Sequence, residues 1–293
     1  MVTLTSATTS ASTAAGNGKA RGPNRRSPIF HVIMIPFTLI YISPLVFVVV
    51  IAFRTFDDLS LNGLSSLPKS FTVEGFVTAL NAGTRHALVN SVIVTVCAVI
   101  LSLLFGSMAA YALSRFRIPF RRTILLIMLA GNLMPPQILL IPVAKIAEGM
   151  GIYDTLFALI VVQVGFGLGF YTFVLYGFMR SIPQEVFEAA IVDGASPWRI
   201  YLRIVLPLCR PSLAALAALA TTWIFNDLIW AMTVLRTQTK FPITAALLNL
   251  QGGYVSEWNV VAAGSIIAAL PPAIVFFVFQ KHFVSRLLVG ANK

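Results

Sequence analysis

Six stretches of this chain are each longer and more apolar than a water-exposed fold allows, and they fix what it can fold into. They span residues 29–53, 87–114, 123–144, 155–179, 211–235 and 259–280. A helix needs about 20 apolar residues to cross a hydrocarbon core about 30 Å thick, and every stretch has that length. A spanning β-barrel would instead alternate over segments of about 10 residues. Composition points the same way. Of all residues, 58% are hydrophobic and 11% charged, with a mean hydropathy of +0.87, where soluble domains carry roughly 25% charged residues. The expected fold is all-α, a polytopic membrane protein of six transmembrane helices. Pro36, Pro44, Pro135, Pro136, Pro142, Pro271 and Pro272 fall inside these stretches. A membrane tolerates them, because neighbouring helices re-satisfy the backbone groups they free.

The formal net charge is +11. On a soluble chain that balance would suggest nucleic acid, but its distribution assigns it to topology. Counting from a cytoplasmic N-terminus, one side collects the clusters at 19–26, 115–122, 180–210 and 281–293, fifteen of the 21 Lys and Arg. The other side holds Arg54, Lys69, Arg85, Lys145, Arg236 and Lys240. The positive-inside rule then places both termini in the cytoplasm, and no nucleic-acid partner is expected. Residues 1–28, rich in Ser, Thr, Ala and Gly, read as a disordered cytoplasmic tail. The first outer loop, 54–86, has room for a short amphipathic piece around 71–80. Cys97 and Cys209 fall on different levels and are not expected to pair.

The most informative segment is the cytoplasmic loop 180–210. Ser181 and Gln184 have capping-box spacing, with Pro183 in the first turn, so a helix is expected from near Ile182. Val186, Phe187, Ala190 and Ile191 form its apolar face. Gly194 is a C-terminal stop, and Ser196-Pro197 restarts a helix by N-cap and first-turn logic. The product is helix, glycine turn, helix at the membrane surface. On these grounds alone it suits a plain connector between spans equally well.

Glu188-Ala189-Ala190, then Gly194, then Ile204 and Leu206-Pro207, resemble the EAA loop of membrane subunits of ATP-binding-cassette importers. Asp193, Ala195 and Pro211 match its fuller form. The run from Asn90 through Arg122, WIFNDLIWAMTVL from Trp223, and the ending FQKHFVSRLLVGANK resemble the carbohydrate-uptake branch. The likeness is greatest to the smaller six-span permease of the maltose-transporter type. The glycine-rich GFGLGFYTF at 165–173 departs from it. The resemblance implies a type I importer fold with both termini cytoplasmic. Residues 29–53 would form the first transmembrane helix, 84–281 the permease domain, and 282–293 a cytoplasmic tail. It also implies a bacterial or archaeal plasma membrane and several partners: a second homologous permease, an ATPase subunit dimer and an extracytoplasmic solute-binding protein. The EAA loop would be the coupling helix seated on the ATPase. ATP and Mg belong to that partner, and this chain would be a pathway subunit, not an enzyme, with no cofactor of its own. It carries no G-x-x-x-x-G-K-[ST] phosphate loop.

Asp227 is the sole carboxylate inside the six stretches. Its cost at mid-bilayer is roughly 2.5–3.5 kcal/mol, so it should face protein or water. With Trp223 and Trp230 on the same helical face, it reads either as a pathway residue beside Asn226 or, preferably, as an interhelical hydrogen bonder. Asn132, Gln137, Gln163, Tyr171 and Tyr176 are further candidates for a sugar route. Two other functions compete: a proton-coupled carrier working through Asp227, and a lipid-active membrane enzyme using Asp57-Asp58. His31, His86 and His282 lack metal-ligand spacing.

Overall fold

The computed structural model describes residues 28–250 and 257–290, with side chains described over 30–250 and 257–279. The tail expected over 1–28 lies, up to residue 27, outside the described residues, as do 291–293. Among the described residues there are helices, turns and one isolated antiparallel bridge, Arg54 to Phe71.

The helices are α1 (Pro28–Ala52), α2 (Phe56–Asn62), α3 (Glu74–Ala79), α4 (Arg85–Arg115), α5 (Arg121–Leu133), α6 (Pro136–Gly149) and α7 (Leu156–Arg180). There follow α8 (Gln184–Val192), α9 (Pro197–Ile200), α10 (Leu206–Phe225), α11 (Ile229–Val234), α12 (Ile243–Asn249) and α13 (Trp258–Gly290). Among the described residues, five helical runs are long and apolar enough to span a membrane, and six if the bent pair α5–α6 counts as one. Residues Phe30 to Val46 of α1 form a unit of their own, with exposed apolar side chains. Exposed apolar surface is what a span shows when lipid is its solvent.

From Phe47 onward, α4 and α7 form the centre of the second unit. Val94, Ala98, Ala110, Leu159, Tyr171, Leu175 and Met179 are buried there. Small residues set the distances between these helices. A Cβ at Gly106 would stand 3.1 Å from Tyr171 Cβ. One at Gly169 would collide with the Met128 carbonyl of α5. Within the glycine run at 165–169, Gly169 therefore has a packing cause, since the backbones of α5 and α7 meet there, whereas a Cβ at Gly165 would meet nothing.

Two expected spans take different courses. The third is bent by 99° between α5 and α6. Pro135 forces Met134 out of helical geometry, to ψ 135°, and Pro136 begins a new helix. The fifth was expected over 211–235. Its continuous helix runs instead from Pro197 to Phe225. A π-turn at Tyr201–Val205 lets Leu206 N–H donate to the carbonyl of Tyr201 just before Pro207, which has no N–H to give.

Candidate coupling loop and intramembrane polar sites

The loop after α7 folds as helix, glycine turn, helix. The capping box does not form. Ser181 Oγ donates to Phe178 O at 2.7 Å, and α8 starts at Gln184 with no side-chain cap. Its other end closes as expected. Gly194 sits at φ +72°, its N–H donates to Ile191 O at 2.9 Å, and Ala195 N–H donates to Ala190 O at 2.9 Å. This pair of bonds is the Schellman closure, which needs a residue tolerant of positive φ. Ser196 then caps α9, accepting from Arg199 N–H at 3.4 Å.

Burial divides the loop into an anchored face and a free face. Phe187, Ala190 and Ile200 are buried, while Glu188, Ala189, Asp193 and Gly194 are exposed and Ala195 is half-buried. Ile204, Leu206 and Pro207 are half-buried on the run into α10, where Ile204 and Leu206 pack on the main core. The anchor is the C-terminal end of α4. Tyr111 OH donates to Pro197 O at 3.0 Å, and Ser107 Oγ meets Tyr201 OH at 2.8 Å. Arg115 Nη2 donates to Met179 O and, at 3.2 Å, to Ile182 O. Its guanidinium lies 3.5 Å from the centre of the Phe187 ring, a cation–π contact. Tyr111 and Arg115 were not singled out from sequence. In sequence Arg115 carries only a topological charge signal, and spacing in one helix does not reveal a contact made from another.

The intramembrane polar residues do not form one site. Asp227 lies in the break between α10 and α11. Its carboxylate accepts from Trp230 N–H at 3.4 Å and Ala231 N–H at 3.2 Å, capping α11. Its carbonyl accepts from Thr244 Oγ1 at 2.7 Å. Gln163 approaches this carboxylate, yet its buried amide nitrogen has no partner in hydrogen-bond geometry. Asn226 is exposed and donates to Thr222 O at 2.8 Å. Asn132 is exposed at the α5–α6 bend, beside a cavity of about 250 Å³ shared with Gly165 and Phe166. Trp223 and Trp230 sit on separate helices, not on one face of one helix. Both reach α7, with ring centres 5.3 Å from Phe170 and 4.3 Å from Phe166. Tyr171 is core.

The end of the bundle away from the coupling loop is tied by charge. Arg54 is fully buried, and its Nε donates to Asp58 Oδ2 at 2.8 Å. Its Nη atoms reach Ser66 Oγ at 2.7 Å and the carbonyls of Gly63, Leu64 and Ser66. The Arg54 hydrogen bond, with help from Lys69 N–H and Asn62, holds the Asp58 carboxyl down at about 2. The Asp58 carboxylate is thus committed to the Arg54 network. Asp154, at φ +57°, accepts from the backbone N–H of Arg236 (2.8 Å) and Thr237 (2.9 Å) and from Lys240 Nζ (3.0 Å). The Thr237 hydroxyl, at 2.6 Å, contributes most to holding its carboxyl well below the usual carboxylate range. Asn90 and Ser91 at the start of α4 bind the strand of chain at 239–243.

Comparison with known proteins gives this architecture a family. The chain is 32% identical over 274 residues to the diacetylchitobiose uptake system permease protein NgcG of Streptomyces coelicolor, covering 92% of this chain and 90% of that one. It is 34% identical over 261 residues to the probable starch degradation products transport system permease protein AmyC of Thermoanaerobacterium thermosulfurigenes, covering 88% and 94%. Its fold superposes with a TM-score of 0.76, at 25% identity, on a chain of a bacterial ABC transporter involved in the import of the acidic polysaccharide alginate, covering 87% of this chain and 95% of that one. Residues 102–289 match the family profile itself, and this chain is a binding-protein-dependent transport system inner membrane component, a multi-pass permease of the ABC importers.

Proposed function

We propose that this permease and a second, homologous one form the pathway for a carbohydrate, and that loop 180–210 couples it to a separate ATPase dimer. A solute-binding protein would deliver the sugar, oligosaccharide or polyol from outside a bacterial or archaeal cell. The names of the relatives support the carbohydrate class. The observation that carries the coupling role is the division of α8 into two faces. Its buried face is seated on the end of α4 through Phe187 and Arg115, and Tyr111 holds the start of α9, while Glu188, Asp193 and Gly194 stay exposed. A short helix seated that way passes a push on to the ends of α4 and α7. ATP-driven closure of the ATPases would displace it and bias a two-state rearrangement of the spans.

Gly194→Val tests this. A β-branched residue at φ +72° costs about 1–2 kcal/mol of backbone strain, and a Cβ there meets no atom of this chain. The added volume would project towards the docking partner. The variant should insert and pair with its partner permease, yet lose ATPase pull-down and substrate-stimulated ATP hydrolysis in reconstituted complex. Wild-type docking together with wild-type stimulated hydrolysis would sink the coupling role.

A further inference from the structure

At the coupling end, the last turns of α4 and α7 and the first turns of α5 and α8 enclose a mainly polar cleft of about 480 Å³. Arg115, Arg121 and Arg180 line it, with Glu185 as the one carboxylate. Among the described residues the ion pairs are Arg54–Asp58 and Lys240–Asp154, so none of these three guanidiniums is in contact with an acid, and the cleft holds three cations against the single Glu185 carboxylate. Arg115 is fixed in place by the Met179 and Ile182 carbonyls and the Phe187 ring, but its Nε is buried without a partner. The cleft also receives two helix starts without side-chain caps, those of α5 and α8, whose orphan N–H groups favour an anion. Guanidinium forks beside free backbone donors match the geometry of a phosphate group. The level is right for a lipid headgroup. Long apolar helices α4 and α7 both end at an arginine here, as spans do at the membrane interface.

We propose that this cleft binds a phosphate ester, supplied by an anionic phospholipid of the leaflet on the coupling side. The site uses Arg115, Arg121 and Arg180. Occupancy would brace the junction of α4, α7 and α8 beside the coupling loop. The inference rests on the coupling end facing the inner leaflet, but lipid binding is read without any transport or ATPase measurement. The two can therefore fail separately.

The experiment is native mass spectrometry of the detergent-purified complex titrated with phosphatidylglycerol, with phosphatidylcholine, and with inorganic phosphate. Wild type should retain phosphatidylglycerol at least about tenfold more tightly than phosphatidylcholine, a gap of about 1.4 kcal/mol. Arg121→Gln/Arg180→Gln should abolish that preference. Arg203→Gln/Arg210→Gln, which removes two exposed arginines elsewhere on the same chain, should leave it intact. Excess inorganic phosphate that displaces the lipid would confirm that the headgroup phosphate occupies the cleft. Phosphate binding with no lipid preference would overturn the lipid source. Equal retention of both lipids by wild type, or equal loss in the two double variants, would show only diffuse surface charge and overturn the site.

Discussion

The two ends of the bundle are held by different chemistry. Away from the coupling loop, the bonds are ionic and many-fold: Arg54 with Asp58, and Lys240 and two backbone amides with Asp154. At the coupling end they are aromatic contacts, single hydroxyl bonds and the contacts of one arginine, Arg115, with two carbonyls and the Phe187 ring. The Tyr111 and Trp198 rings lie tilted against Tyr201, with centres 5.2 and 5.3 Å away, and hydroxyl bonds join Tyr111 to Pro197 O and Ser107 to Tyr201. Each end has a buried or half-buried arginine, and the contrast is sharpest there. Every nitrogen of Arg54 donates within its loop. Arg115 keeps an unpartnered Nε. Desolvated charge networks fix one geometry and cost much to leave. Aromatic faces and lone neutral bonds exchange partners at little cost. On the proposed function, the softer joint is the one an ATPase would push on, and the ionic joint lies at the far end.

The largest expected effect tests the ionic end. Arg54→Met strands the Asp58 carboxylate in a buried site, and breaking one partner of a buried pair is strongly destabilising. Hydrogen exchange across 53–72 should rise to the rate of an unstructured peptide, with 184–200 unchanged. Arg54→Met/Asp58→Leu should recover much of the protection, because an apolar pair can replace a buried ionic one. Acceleration at both ends in the single variant would mean the ends open together.

A smaller effect at the same end comes from pH. The Asp58 carboxyl is lowered from 3.8 to about 2 in the folded loop. A depressed folded value contributes stability above 3.8, and that stability is lost as pH falls towards 2. Exchange over 53–72, corrected for its intrinsic pH dependence, should be flat above about pH 4 and accelerate below it. In Asp58→Asn the acid limb should vanish. A wild-type loop with the same flat profile down to pH 2 would remove the ionic account of this end.

Much of the coupling loop was legible because its signals are local. Gly194, Ser196 and Pro197 act on neighbours two to four residues away, and the structure has them as spacing implies. The misses have non-local causes. Pro135-Pro136 breaks a span by 99°, while Pro271-Pro272 lies inside continuous α13. The dipeptides are identical, so the dipeptide alone does not decide between kink and continuation. Asp227 was expected within a helix, but its carboxylate captures backbone N–H groups and starts α11 instead. Ser181 likewise bonds backwards to Phe178 O instead of forward to α8. The Gly169 contact with Met128 joins residues 41 positions apart. The Arg54 network was invisible because a loop arginine looks the same in sequence whether solvated or buried.

The smallest expected effect tests the soft end. Tyr111→Phe keeps the ring against Tyr201 and Phe116 and removes one hydroxyl. The Pro197 carbonyl is not orphaned, since Tyr201 N–H also donates to it. The loss is therefore the net value of one neutral hydrogen bond, about 1 kcal/mol, with no buried-acceptor penalty on top. That corresponds to roughly fivefold faster opening. It should appear in exchange over 184–200 and be absent from 53–72. ATPase pull-down should survive, because Phe187 and Arg115 still seat α8. If α8 were instead held as rigidly as the Arg54 loop, through a cooperative network, removing the hydroxyl would cost several times more and abolish docking. A change of fivefold or less, with docking retained, marks the coupling end as the compliant joint. A hundredfold change would make both ends rigid and erase the distinction.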